Sequence, residues 1–214
     1  MEIGILFDLD GTLLNTLTDL YDAINHTLKA YHCPERSLQE VRKFVGNGAR
    51  RLVEQALPGK ADDPAVDDVL ASYEKYYNAT CNDGSAAPYP GVVEVLEVLQ
   101  KKYKVAVVSN KPDPAAKAMC ARYFPGVLTL GVTEQIARKP APDMVFAVME
   151  QLGVKKCIFV GDSDVDVLTA KNAGVPCLSV LWGFRDKAEI EAVGGKVFCE
   201  NVSDLPAIIE TLTK

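Results

Sequence analysis

The chain has 214 residues, of which 48% are hydrophobic and 24% charged, so it can build a sizeable core in one large domain or in a core with an insertion. Its formal net charge of -6 gives no basic footprint for nucleic acid, so we expect no nucleic-acid partner. No apolar run has membrane-spanning length, which predicts a protein without a membrane segment.

An apolar run that starts at Ile3 predicts a buried β-strand, and it ends in two aspartates, Asp8 and Asp10. Gly11 and Thr12 follow, where the chain must turn. A carboxylate pair at the carboxyl end of a buried strand lies where open α/β sheets bind ligands. Because two such acids repel each other unless a cation or a shared proton offsets their charge, the pair points to a site of chemistry.

The next segment predicts helices and no strand. Apolar residues at spacings of three and four predict an amphipathic helix, and Ser37 with Glu40 forms a capping-box pattern. Helices are predicted over Thr16–Tyr31, from Ser37 to Phe44, over 49–57 and from Asp63 onward. We therefore expect residues 15–83 to form an all-helical insertion.

A turn-rich stretch from Asn82 to Pro90 precedes a second part in which strands and helices alternate. Strands are predicted over 105–108, 127–131, 158–160 and 178–181, and helices over 92–99, 114–123, 142–152 and 164–173. This alternation predicts an α/β fold with a doubly wound parallel sheet. We expect residues 1–14 and 84–214 to form this Rossmann-like core.

Three polar clusters accompany the later strands. They are Ser109-Asn110-Lys111, Arg138-Lys139-Pro140 and the segment 161–166, which contains Asp162, Asp164 and Asp166. Strand ends in a parallel sheet converge on one crevice, so these residues are expected beside Asp8 and Asp10. Oxygen ligands without His or Cys favour a hard cation, and a site with few carboxylates suits Mg²⁺.

In order along the chain, these motifs resemble those of the haloacid dehalogenase superfamily. The matching segments are Asp8-Leu9-Asp10-Gly11-Thr12, Ser109-Asn110-Lys111, Lys139-Pro140 and Gly161-Asp162-Ser163-Asp164-Val165-Asp166. The resemblance implies a Mg²⁺-dependent phosphomonoester hydrolase that acts through an aspartyl-phosphate on a small phosphorylated metabolite. It also identifies the helical insertion as that superfamily's cap.

The resemblance implies roles for the carboxylates. Asp8 is expected to be the nucleophile, and Asp10 the acid that protonates the leaving oxygen and then the base that activates water. Asp8, the backbone carbonyl of Asp10 and Asp162 are the implied Mg²⁺ ligands. Asp166 is expected to support the site or to serve as an alternative metal contact.

The resemblance also implies a phosphate pocket. Ser109 is expected to hydrogen-bond a phosphate oxygen, helped by the backbone N–H of Asn110. Lys139 is expected to bridge the phosphate and Asp8, where it would stabilise charge as the phosphoryl group transfers.

Two segments are similar to the phosphoglycolate phosphatases: a Val-Gly-Asn-Gly-Ala stretch at 45–49 and Trp182-Gly183-Phe184. Gly46, Asn47 and Gly48 would offer N–H groups to an anion, and Arg50 or Arg51 would pair with a substrate carboxylate. The same loop is also typical of a turn, and the two arginines of surface charges. Asn15 and Arg185 depart from the pattern of that group. The best substrate prediction is 2-phosphoglycolate.

Other functions remain open at this point. A sugar phosphomutase, or a phosphatase acting on pyrophosphate or a hexose phosphate, would share the core residues. A non-catalytic regulator that binds a phosphorylated ligand has no need of a nucleophile, and a dehalogenase has no need of Asp10. Six scattered cysteines without a close pair predict free thiols, and with no export signal we expect a cytoplasmic monomer or homodimer.

Overall fold

The computed structural model describes residues 2–81 and 84–214, and Asn82 and Asp83, where the predicted turn-rich stretch begins, lie outside this range. The chain forms two compact units. The first, here called the sheet unit, comprises Met1–Asn15 and Pro88–Lys214, and the second, the helical unit, comprises Thr16–Ala87. None of the helices that the described residues form is long and apolar enough to span a membrane.

The helical unit consists mainly of α-helices. In its described residues they are Leu17–Ala30 (α1), Leu38–Phe44 (α2), Ala49–Ala56 (α3) and Val66–Thr80 (α4), with a 3₁₀ helix at Lys60–Asp62. The predicted capping box is confirmed, since the Ser37 N–H donates to Glu40 Oε2 at 2.8 Å and the Glu40 N–H donates to Ser37 Oγ at 3.3 Å. Helix α4 begins later than predicted, because Asp63 Oδ1 accepts from the Ala65 N–H at 2.9 Å and forms a turn first.

The sheet unit is built on one six-stranded sheet. Its strands are Ile3–Phe7 (β1), Lys104–Pro112 (β2), Leu128–Val132 (β3), Lys156–Gly161 (β4), Cys177–Val180 (β5) and Phe198–Cys199 (β6). Their order across the sheet is β3-β2-β1-β4-β5-β6, and each recorded pairing is parallel. This arrangement confirms the predicted doubly wound parallel sheet.

Helices precede or follow the strands of the sheet along the chain. They are Val92–Gln100 (α5), Asp113–Tyr123 (α6), Asp143–Leu152 (α7), Asp164–Ala173 (α8), Lys187–Ala192 (α9) and Leu205–Leu212 (α10), with a 3₁₀ helix at Val202–Asp204. Two short strands, Leu14–Asn15 and Ala87–Pro88, lie near the ends of the helical segment. Periodicity did not predict β6, because two residues are too few to carry a pattern, and it missed α10 as well.

The core of the sheet unit explains why the central strands are continuous apolar runs. Leu6 of β1 and Phe159 of β4 have no exposed surface, and they pack in one cluster with Met144, Val145 and Val148 of α7. Strands that are covered by helices on both faces need apolar side chains at every position. The polar residues that follow β1 and β4 therefore mark where each strand leaves the core.

Candidate active site

The carboxyl ends of β1 and β4 meet where the strand order reverses. Asp8 directly follows β1, and Asp162 directly follows β4. The Asp8 N–H donates to the Val160 carbonyl at 2.8 Å, so Asp8 continues the pairing of these two strands. In open α/β sheets this switch point is the usual position of a ligand site.

The apolar pattern predicts that the polar cluster 109–111 follows strand β2. In the structure the cluster lies inside that strand. In the register with β3, Val108 is opposite Leu130 and Pro112 is opposite Val132, so β2 contains additional residues at its end. Such a bulge redirects side chains, and bulges are common beside active sites. The prediction ended the strand at Val108 because the residues that follow are polar, although they are buried.

Lys139 is the buried cation at the centre of the site. Its Nζ lies 2.7 Å from Asp8 Oδ1 and 2.8 Å from Asp166 Oδ1, and only 2% of its side chain is exposed. Asp166 also accepts from the Ser163 N–H at 3.0 Å and from Ser163 Oγ at 2.6 Å, both through Oδ2. Asp166 thus anchors Lys139 next to Asp8, with its own oxygens already engaged.

The Asp162 carboxylate is held through both of its oxygens. Thr12 Oγ1 donates to Oδ1 at 2.8 Å, and the Phe184 N–H donates to Oδ2 at 2.7 Å. Gly11 has a φ of 89°, and a Cβ at this position would collide with the Asp162 carboxylate. The glycine that follows Asp10 is therefore required both by its backbone conformation and by the close approach of Asp162.

Burial disfavours the charged forms of these acids. It raises the pKa of Asp8 well above its usual value, with Asp166 and Asp162 adding to the effect and Lys139 opposing it. Burial, with repulsion from Asp166, likewise raises the pKa of Asp162 to about 7. Burial alone would lower the pKa of Lys139, but Asp166 and Asp8 together outweigh it and raise that pKa above the ordinary lysine value.

The acidic cluster fits a divalent cation. Asp8, Asp162 and Asp166 each offer a carboxylate oxygen within 4.8 Å of the others, and all three residues are buried. When ionised, three carboxylates against the single ammonium of Lys139 leave two uncompensated negative charges, which a divalent cation would balance. Asp166 accepts three hydrogen bonds, whereas Asp162 accepts two and Asp8 one, so Asp8 and Asp162 keep more lone-pair directions for a cation.

Asp10 lies beside a second buried lysine that the sequence analysis left without a role. Lys111 Nζ is 2.7 Å from Asp10 Oδ1, and the two side chains are 4% and 14% exposed. The Asp10 carboxylate is not a member of the acidic cluster around Lys139. Asp8 and Asp10 are therefore held by different lysines, so their carboxylates have different electrostatic surroundings.

Ser109 and Asn110 are both buried at the end of β2. Ser109 Oγ accepts from the Lys111 N–H at 3.2 Å, and Asn110 Nδ2 donates to the Lys139 carbonyl at 2.9 Å. The Asn110 side chain thus ties β2 to the segment that carries Lys139. Sequence reasoning had assigned a role only to the backbone of Asn110.

The predicted substrate residues of the helical unit form a local group. Gly46, Asn47 and Gly48 connect α2 to α3, and Arg50 is in the first turn of α3. Arg50 Nη1 lies 2.8 Å from Asp67 Oδ1, and Arg50 Nε lies 3.1 Å from Glu54 Oε1. The Arg50 guanidinium is therefore engaged by carboxylates of its own unit.

Several contacts of the site could not be found from sequence patterns. Thr12 and Phe184 hold Asp162 across separations of 150 and 22 residues, and the Phe184 contact uses a backbone N–H that is the same for any residue type except proline. Lys111 follows Asn110 in the second motif, but no local sequence pattern predicts that its ammonium contacts the Asp10 carboxylate.

Comparison with known proteins identifies the family of this chain. The family model of haloacid dehalogenase-like hydrolases matches residues 5–180. A phosphoglycolate phosphatase of Agrobacterium fabrum is 34% identical over 218 residues, covering 97% of this chain and 92% of that protein. Another, of Pseudomonas savastanoi pv. phaseolicola, is 38% identical over 192 residues, covering 85% and 70% of the two chains.

Solved structures agree as well. A crystal structure from Lactobacillus delbrueckii subsp. bulgaricus superposes with a TM-score of 0.90 at 30% identity, covering 97% of this chain and 98% of that one. Residues 5–180, which the family model matches, contain the polar clusters at the ends of β1, β2 and β4 and the segment with Lys139. The resemblance seen in the sequence is thereby confirmed, and the chain belongs to the haloacid dehalogenase-like hydrolases.

Proposed function

We propose that this protein is a Mg²⁺-dependent phosphomonoester hydrolase that acts through an aspartyl-phosphate on Asp8. The observation that carries the proposal is the Lys139 ammonium, which lies 2.7 Å from Asp8 and 2.8 Å from Asp166 in the acidic cluster. A carboxylate oriented by a buried cation at a sheet switch point suits nucleophilic attack on an anionic phosphate.

In the first step, an Asp8 oxygen would attack phosphorus, and an O–P bond would form as the bond to the leaving oxygen breaks. Lys139 would stabilise the negative charge of the transferring phosphoryl group. The Ser109 hydroxyl and the Asn110 N–H would bind the phosphate oxygens. Mg²⁺ held by Asp8, Asp162 and the Asp10 carbonyl would offset the repulsion between carboxylate and phosphate.

Asp10 would move the proton in both steps. It would first give a proton to the leaving oxygen, and then accept one from the water that attacks the phosphorus of the intermediate. That attack breaks the bond between phosphorus and the Asp8 oxygen, and it regenerates Asp8. The ion pair between Lys111 and Asp10 fixes the direction of one Asp10 oxygen.

We propose 2-phosphoglycolate as the substrate, because relatives at 34% and 38% identity carry the name phosphoglycolate phosphatase. Residues 1–14 and 84–214 would be the catalytic core, and residues 15–83 a cap. Gly46, Asn47 and Gly48 of the cap would bind the substrate carboxylate, and Arg50 would pair with it in exchange for its contact with the exposed Asp67 carboxylate. All six cysteines are free thiols, which suits a cytoplasmic location.

The proposal is tested by phosphate release from 2-phosphoglycolate, p-nitrophenyl phosphate, pyrophosphate and glucose 6-phosphate, each with Mg²⁺ and with EDTA. We expect Mg²⁺-dependent release with the highest kcat/KM for 2-phosphoglycolate. A higher kcat/KM for pyrophosphate or the hexose phosphate would overturn the substrate assignment. Conversion of β-glucose 1-phosphate to glucose 6-phosphate without phosphate release would instead establish a phosphomutase.

A further inference from the structure

The segment Trp182-Gly183-Phe184, here called the tryptophan loop, follows β5 and lies against Asp162. The Phe184 N–H donates to Asp162 Oδ2 at 2.7 Å. A Cβ at Gly183 would collide with the Asp162 side chain, so the loop can approach this closely only with glycine at that position. The loop therefore forms one wall of the space that contains the carboxylate.

Trp182 acts on the other oxygen of the same carboxylate through Thr12. The indole Nε1 donates to the Thr12 carbonyl at 3.0 Å, and Thr12 Oγ1 donates to Asp162 Oδ1 at 2.8 Å. The loop thus reaches Oδ2 directly and Oδ1 through one intermediate residue. Hydrogen bonds on both oxygens fix the plane of the Asp162 carboxylate.

Packing alone does not account for a tryptophan at this position. Trp182 is partly exposed, its ring packs at a tilt against Tyr89 with the centroids 6.4 Å apart, and both residues line a surface cavity of about 510 Å³. Trp182 is not among the fully buried hydrophobic residues that form the core. What the indole adds is an N–H donor at the end of a rigid ring, aimed at the Thr12 carbonyl.

We infer that the tryptophan loop is a positioning element that orients the Asp162 carboxylate toward a divalent cation, and this rests on the proposed function. Each carboxylate oxygen has two lone-pair directions, so one hydrogen bond on each leaves a second direction for the cation. Partners that orient a ligand in this way change metal affinity by about 10- to 100-fold when they are removed.

The inference is tested by measuring Mn²⁺ binding in the absence of substrate. Mn²⁺ prefers oxygen ligands as Mg²⁺ does, and the EPR signal of the free ion reports how much of it is unbound. Trp182→Phe keeps an aromatic ring but loses the N–H donor, and Thr12→Val loses the hydroxyl. We expect each change to weaken Mn²⁺ binding about 10- to 100-fold, and Thr12→Ser to recover most of the affinity. Gly183→Ala should weaken binding as well.

Gly126→Ala is the matched control, because a Cβ there meets nothing within 4 Å although its φ is 83°. We expect this variant to lose stability and to keep its Mn²⁺ affinity. If Trp182→Phe binds Mn²⁺ as tightly as the unmodified protein does, the inference is wrong while the proposed function stands. If the unmodified protein does not bind Mn²⁺, the metal-dependent function itself is wrong.

Discussion

At the scale of single residues, two buried lysines each form an ion pair with one aspartate of the first motif. Lys139 contacts Asp8, and Lys111 contacts Asp10. Two carboxylates that are two residues apart in the chain therefore have different partners, which is the condition for one to act as a nucleophile and the other as an acid and base.

Replacing Lys139 should abolish most of the activity. Lys139→Met removes the cation that would stabilise the transferring phosphoryl group, so we expect kcat for phosphate release to fall by roughly 10²- to 10³-fold. Lys117→Met is the control, because Lys117 is an exposed lysine that pairs with Asp113 at 2.7 Å. A Lys139→Met enzyme with the kcat of the control would contradict the role of Lys139.

The stability of the metal-free protein should depend on the Asp162 carboxyl. Its pKa is about 7 in the folded protein against an ordinary value of 3.8, so between these values the folded state holds a proton that the unfolded chain has released. Stability from this group is therefore present at low pH and is lost as the pH rises from 3.8 to about 7.

A cation takes the place of that proton, so Mg²⁺ should raise Tm more above the raised pKa of Asp162 than below it. Thermal unfolding with Mg²⁺ and with EDTA across this range measures the difference. In Asp162→Asn the effect of Mg²⁺ should be much smaller at every pH. An Asp162→Asn protein that gains as much Tm from Mg²⁺ as the unmodified chain would exclude Asp162 as a ligand.

The residues of this site differ in how far sequence could predict them. Asp8 and Asp162 each end an apolar strand, and a parallel sheet brings such ends together, so motif and topology are sufficient. The contact between Lys111 and Asp10 could not be predicted, because a lysine at the end of a strand can point in several directions. Lys111 lies in the stretch of β2 where the register with β3 shifts, and that shift depends on a strand distant in sequence.

At the scale of elements, sequence patterns predicted the helices and strands whose stabilising contacts lie close together in the chain. The capping box at α2 was predicted because Ser37 and Glu40 are three residues apart and their bonds lie within one turn. Strand β2 was predicted too short because its last residues are buried polar groups, stabilised by contacts distant in sequence. The two-residue strand β6 depends on its pairing with β5 and carries no pattern of its own.

The capping box should contribute measurably to the helical unit. Ser37→Ala removes the side-chain acceptor at the N-cap of α2, so we expect the free energy of unfolding to fall by about 1 kcal/mol. Ser72→Ala is the comparison, since Ser72 lies inside α4, where alanine is the better helix former. Urea unfolding followed by circular dichroism measures both, and equal effects of the two changes would contradict the capping role.

At the scale of the whole molecule, we expect the sheet unit to carry out the chemistry and the helical unit to determine which substrate is bound. The sheet unit contains the acidic cluster and both lysines, whereas Gly46, Asn47, Gly48 and Arg50 belong to the helical unit. Composition and alternation predicted the parallel sheet well, because its apolar strands are a property of the whole fold. The substrate depends on a few polar side chains, which no general pattern determines.

Arg50 should affect the choice of substrate and not the chemistry. Arg50→Gln removes the charge proposed to pair with the carboxylate of 2-phosphoglycolate, so we expect KM for that substrate to rise about 10-fold or more. The kcat for p-nitrophenyl phosphate, which has no carboxylate, should change little. Arg51→Gln is the control for a neighbouring surface charge, and an equal rise in KM for both variants would contradict the assignment.

The proposed function requires Asp8 to carry the phosphoryl group between the two steps. The direct measurement is to quench the enzyme in acid during turnover with Mg²⁺ and 2-phosphoglycolate, reduce it with borohydride and map the modified residue by peptide mass spectrometry. Reduction converts an aspartyl-phosphate to homoserine, so we expect homoserine at position 8 and only in the presence of substrate. Phosphate release at full rate with Asp8 unmodified, or by an Asp8→Asn enzyme, would exclude Asp8 as the carrier of the phosphoryl group.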